Sequence, residues 1–202
     1  MNLHKNRIGF ALTGSHCTIS TVMLQMERLI DAGFQVTPVV SAAVTGDDTR
    51  FGRAEDVMAR LLEITGKAPV SSIVGAEHVG PEKLFDLLIV APCTGNTLAK
   101  LANGITDTAV LMAAKAHLRN QRPLLLAIAT NDGLGLNAKN IGVLLSTRHI
   151  FLVPFGQDDP LEKPNSVVAR MELILPAALE ALQGKQIQPL LITYSQDKCI
   201  CC

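Results

Sequence analysis

Five short polar segments carry most of the chemistry-capable side chains in this 202-residue chain: Thr13-Gly14-Ser15-His16-Cys17, Ser41-Ala42-Ala43, Pro92-Cys93-Thr94-Gly95-Asn96, Thr130-Asn131-Asp132-Gly133, and Pro154 to Asp159. Each follows an apolar run. The first opens a helix, where unpaired N–H groups and the positive dipole end favour an anion such as phosphate. Gly14 permits close approach there, and Ser15 and Thr18 add hydroxyl donors. The same hydroxyls also suit helix caps. A G-x-x-x-x-G-K-[ST] loop is absent, which disfavours nucleoside triphosphate hydrolysis. Gly133-Leu-Gly135-Leu-Asn-Ala138 satisfies G-x-G-x-x-A formally, but it also reads as a glycine-rich turn that lets Asn137 cap the next helix.

Acid–base chemistry needs a histidine or carboxylate, and His16 and Asp132 stand in these segments. Arg50 and Asn131 are the substrate-binding candidates, Arg50 because a planar guanidinium holds a carboxylate through two hydrogen bonds. One His-Cys neighbour pair has no metal-ligand spacing, so no metal site is expected. Cys17 reads as a small buried thiol. His4, His117 and His149 read as ordinary polar positions, and Lys100, Lys115 and Lys139 as solvated helix faces.

The elements that must position these segments alternate between apolar β-branched runs and helical periodicity, the pattern of parallel strands joined by right-handed crossovers. Strands are expected at Arg7 to Leu12, Gln35 to Val40, Val70 to Val74, Leu87 to Val90, Leu124 to Ala129 and Ile150 to Val153. Helices are expected at Thr18 to Ala32, Ala54 to Ile64, Thr97 to Asn120 with a break near Gly104, Asn137 to Ser146, and Ser166 to Leu182, the last kinked or divided at Pro176. The fold class is therefore an α/β three-layer open parallel sheet, flavodoxin-like or Rossmann-like, with helices on both faces. In such sheets ligands bind outside the carboxyl ends of the strands, so the topology gathers all five segments on one edge.

Lys+Arg and Asp+Glu both total 18, which leaves no basic field for nucleic acid. Hydrophobic residues at 48% against 18% charged exclude a disordered chain and point to apolar surface covered in a homo-oligomer. No apolar run reaches the ~18 residues of a membrane span, and MNLHKNRIGF holds no signal core, so a soluble, cytoplasmic protein is expected. The five cysteines do not make a disulfide framework. Residues 1–195 read as one domain and 196–202, ending CICC, as a frayed or artefactual tail.

The segment APCTGNTLAKLANGITD at 91–107 resembles the PASANT-type segment of the homo-oligomeric flavin-containing cysteine decarboxylase superfamily. Within it, GFALTGSHCT, TRFG, TDTAVLMAAKA, TNDGLGLN and IFLVPFGQDDPLEKPNS look, in order, like segments of dipicolinate synthase B subunits. The resemblance implies a flavodoxin-like fold and oxidation of a small dicarboxylate, dihydrodipicolinate, to dipicolinate together with an A subunit that carries NAD(P), in the mother-cell cytoplasm during sporulation. It also implies FMN, with Thr13, Gly14, Ser15, Ser41 and Ala42 near phosphate or ribityl and Cys93, Thr94, Gly95 and Asn96 beside the ring or substrate. Cys93, Thr94 and Gly95 replace the Ala, Ser and Ala of the motif. His78, eight residues before Asp86, stands where the decarboxylases place a catalytic histidine. Two alternatives remain: a non-catalytic partner with a vestigial flavin pocket, and a standalone FMN-dependent decarboxylase.

Overall fold

The computed structural model describes residues 6–46 and 48–193; the expected tail and His4 lie outside them. The sheet is built first from β1 (Arg7–Leu12), β2 (Gln35–Val40), β3 (Leu87–Cys93), β4 (Leu124–Thr130) and β5 (Ile150–Leu152). These strands are parallel in the order β2-β1-β3-β4-β5, the flavodoxin-like arrangement. All seven residues of β3 are buried, as a strand covered on both faces requires. A hairpin-like pair, β6 (Phe155–Gly156) and β7 (Val167–Ala169), joins the carboxyl end of β4 with β7 antiparallel to it.

The direction of the crossovers places the helices. From β1 the chain moves outward to β2 through α1 (His16–Asp31), and from there back across the sheet, so right-handed connections put α1 and most of the later crossover helices on opposite faces. After the short α2 (Ala42–Gly46), α3 (Ala54–Thr65) leans on α1 and stops at Gly66, whose φ of 66° is left-handed. On the far face α4 (Ile73–Glu77) packs on α6 (Ala109–Arg119), and α5 (Gly95–Ala102) lies between α6 and α7 (Ala138–Leu145). α8 (Ile174–Leu182) returns beside α1.

Several expectations are corrected. Val70 makes only an isolated bridge to Val39, and Ile73–Glu77 is helical because Ser72 accepts the Gly75 N–H at 3.0 Å and starts a turn. The closing helix does not begin at Ser166, since Val167–Ala169 is β7. Pro176 neither kinks nor divides α8: it lies in the first turn, where a missing N–H removes no helical bond. α1 starts two residues earlier than expected, which brings His16 and Cys17 into its first turn.

Candidate functional site

At the switch point between β1 and β3, Thr13 is buried and its hydroxyl donates to the Pro92 carbonyl at 2.6 Å while accepting the Thr94 N–H at 3.1 Å. The sequence creates the opening for this clasp. Between Val90 and Cys93, β3 holds one residue more than β4 opposite it, and Pro92 there has no N–H to give the ladder. Thr94 then caps α5, accepting from Thr97 N. Thr13 and Thr94 thus follow β1 and β3 directly, with their hydroxyls tied into the scaffold.

The phosphate-type corner is less occupied. Ser15 is at the N-cap position of α1 but makes no side-chain cap, so the capping reading is not realised; Thr18 instead donates to the Ser15 carbonyl at 2.8 Å. Ser41, 8% exposed at the end of β2, carries a buried hydroxyl with no hydrogen-bond partner. Its N–H holds the Leu12 carbonyl at 3.0 Å, which sets it beside Thr13 and Gly14. A Cβ on Gly14 would come within 2.9 Å of Ala43, so only glycine lets the two turns close up. A buried donor without an acceptor, next to the N-terminus of a 16-residue helix, is a place that an anionic oxygen would satisfy.

Beyond β3, the turn after β4 comes over α5. A Cβ on Gly95 would lie 2.5 Å from Thr130 Oγ1 and 2.9 Å from Asn137 Nδ2. Asp132 accepts from Leu136 N at 3.1 Å and from Asn137 Nδ2 at 3.3 Å, while Ser166 reaches Asn131 at 3.4 Å. Asn137 is at the N-cap of α7, but its side chain caps no backbone N–H: it accepts from Asn140 Nδ2 at 2.9 Å and donates to Asp132. The glycine-rich turn is present, with Gly133 packed on Val167 and no room for a Cβ, but the cap expected of Asn137 is not made.

Other candidates are placed differently. Cys93 is fully buried, and burial pushes its thiol pKa up to about 12, so it is a neutral core group. Cys17 is exposed, contrary to expectation. Arg50 is exposed and stacks over Phe51 at 4.8 Å. Near it a cleft of about 260 Å³ opens between α1 and residues 49–60, walled by His16, Cys17, Met23, Phe51, Arg53 and Asp56. His78 is exposed and paired with Glu82 at 2.8 Å. It is not brought to the rim, because the nearby Gly80 carbonyl accepts from Asn120 at the far end of α6. Asn96 and Ala42 are exposed at the rim. His117 and His149 are not ordinary polar positions: His117 is buried against the Pro123 carbonyl, and His149 has a buried Nε2 and a φ of 66°. Lys100 is half-buried in an ion pair with Asp107 at 2.6 Å, whereas Lys115 and Lys139 are solvated as expected. Among the described residues no cluster of metal ligands occurs, and no helix is long and apolar enough to cross a membrane. Sequence reasoning missed Asn140 and the α1/α3 cleft, which only the packing of helices brings into being.

The model of the family described as Flavoprotein matches residues 1–174. The dipicolinate synthase B subunit of Bacillus subtilis (strain 168) is 49% identical over 191 residues, covering 95% of this chain and 96% of that one. The chain belongs to the flavoprotein family and, within it, to the dipicolinate synthase B subunits. The crystal structure of the dipicolinate synthase B subunit from Bacillus halodurans superposes with a TM-score of 0.88 at 48% identity, covering 96% of this chain and all of that one. DmrB of Burkholderia xenovorans, a cubic cage solved in complex with FMN, gives a TM-score of 0.68 at 18% identity, with 89% of this chain and 97% of that one covered; this likeness concerns the flavoprotein fold alone.

Proposed function

We propose that this chain acts as the B subunit of a dipicolinate synthase, oxidising a dihydrodipicolinate-type dicarboxylate to pyridine-2,6-dicarboxylate with an A subunit in the cytoplasm of a sporulating mother cell. The observation that carries the reading is the near end-to-end identity of 49% with a curated B subunit. The strand-end corner fits a flavin mononucleotide: Gly14, Ser15, Ser41 and Ala42 would hold phosphate and ribityl, and the Thr94-Gly95-Asn96 turn would lie beside the ring. The unpartnered Ser41 hydroxyl supports that fit. When bound, FMN supplies a two-electron acceptor for hydride.

In this reading Arg50 offsets a substrate carboxylate, Asn131 and Asn96 orient the ring, and His16 or Asp132 accepts the proton released as the ring becomes aromatic. With no Trp in the chain and Phe155 buried in the core, ring-face contact falls to the exposed Phe51 or a neighbouring copy in a homo-oligomer. A second reading, a partner subunit with a vestigial pocket and the NAD(P) chemistry on the A subunit, is favoured by one observation: the Thr13 and Thr94 hydroxyls are both spent inside the scaffold.

Reconstitution tests both. Dipicolinate formation is measured for the A subunit alone, this chain alone and the mixture, each with and without FMN and nicotinamide cofactor. Product from the mixture, with flavin absorbance that follows this chain, is expected. Product from this chain alone overturns the two-subunit proposal, and a mixture indifferent to FMN with a colourless B chain selects the second reading.

A further inference from the structure

We propose that Asn140 is a positioning residue which, through Asn137, aims the Asp132 carboxylate as proton acceptor; the proposal rests on the dehydrogenation just described. Asn140 is 7% exposed, an amide in the buried flank of α7 where an apolar residue would pack at no polar cost. Its Nδ2 donates to Asn137 Oδ1 at 2.9 Å. With that oxygen engaged, Asn137 turns its Nδ2 the other way, to Asp132 Oδ2 at 3.3 Å. Behind Asn140, Asn103 Nδ2 lies 3.5 Å from Asn140 Oδ1 and is anchored on the Ala99 carbonyl at 2.7 Å. Three amides thus run head to tail from the end of α5 to the rim, and since an amide accepts only at oxygen and donates only at nitrogen, the direction of each fixes the next.

Two further observations separate this chain of amides from helix stabilisation. Asn137 forgoes the cap bond that an N-cap asparagine ordinarily makes to its own helix, so the local benefit is given up for reach. Two glycines also clear the path. The missing Cβ of Gly95 leaves space for Thr130 Oγ1 and Asn137 Nδ2, and a Cβ on Gly135 would collide with Asp132 Oδ1. The glycine that replaces alanine in the 92–97 turn is therefore matched to Asn137. Asp132 receives one N–H on each oxygen, and a carboxylate has about four lone-pair sites, so capacity for a proton remains on each.

The dihydropyridine loses one hydrogen with its bonding pair, as hydride, to the flavin or nicotinamide acceptor. It loses the other as a proton to Asp132, and the electron pair of that second bond closes the aromatic ring.

Steady-state kinetics of the full chain with its A subunit test the role. Asp132→Asn should lower kcat by about 100-fold or more, the usual scale for a positioned base. Asn140→Leu, similar in volume, should lower kcat by roughly tenfold with KM within twofold, and Asn137→Ala should match it. The double variant should fall no further than the worse single, as coupled members of one network do. If Asn140→Leu fails to fold, Asn140→Ala, which removes the same amide without adding bulk, should give the same loss in kcat. Wild-type kcat in Asn140→Leu, additive losses, or losses confined to KM or melting temperature overturn the proposal while the wild-type pair remains active. A wild-type pair that forms no dipicolinate removes the underlying reading itself.

Discussion

The Thr13 hydroxyl and the Pro92 carbonyl, 2.6 Å apart, lock β1 to β3 at the point where the order of strands reverses. Thr13→Val keeps the shape and removes the bond, leaving the Pro92 carbonyl and the Thr94 N–H without their partner. A loss of about 2 kcal/mol is expected in urea unfolding, with Thr13→Ser retaining most of the stability. An unchanged midpoint for the valine variant would show that the clasp contributes nothing.

Ser41 behaves in the opposite way. Its hydroxyl has no partner, so Ser41→Ala should change stability by no more than about 0.5 kcal/mol. FMN affinity, followed by quenching of flavin fluorescence, should fall about tenfold, the effect of one hydrogen bond to a charged oxygen. Equal affinity in the two proteins would remove Ser41 from the phosphate corner.

His117 gives the fold a pH dependence. Burial is the main cause that lowers its pKa from 6.5 to about 4, while its Nε2 interacts with the Pro123 carbonyl at 2.8 Å. Between those pH values the unfolded chain binds the proton and the folded one does not, so stability present above pH 6.5 is lost as pH falls towards 4. The loss is about 3 kcal/mol at most. His117→Gln should flatten the stability profile in that window. The Asp86 carboxylate is held below its usual 3.8 by the Arg7 N–H and guanidinium and by Arg122, which outweigh its burial, and it titrates at lower pH still.

Thiol labelling should divide the described cysteines. Native protein treated with iodoacetamide and mapped by peptide mass should carry label on exposed Cys17 and none on Cys93, whose thiolate is suppressed by burial. Labelling of Cys93 before unfolding would contradict its place in the core.

The parts of the fold legible in the sequence are those whose patterns are local. Arg7–Leu12 and Gln35–Val40 are continuous apolar or β-branched runs between polar breaks, and both strands end where the pattern ends. Val167–Ala169 was hidden because three apolar residues ahead of a helix continue its periodicity; only pairing with Ala129 and Thr130 makes them a strand. The site followed the same rule. Gly14, Ser41 and the Thr94 turn could be read from position after a strand, whereas the buried amide of Asn140 looks like any polar helix residue until α5 packs beside α7. His78 shows the converse, a residue matched by spacing to a motif and set by the chain path at the end of α4, near the finish of α6.

Along β4 the neighbour changes partway. Leu124–Leu126 pair with β5, while Ala129 and Thr130 pair with β7. The first half of the strand is locked into the parallel sheet, and the second carries the antiparallel excursion of β6 and β7. Exchanges within 157–166 would therefore bear on the turn after β4, through the Leu134 N–H on the Asn165 carbonyl and through Ser166 beside Asn131, while Ile150–Leu152 keeps its own pairing with Leu124–Leu126.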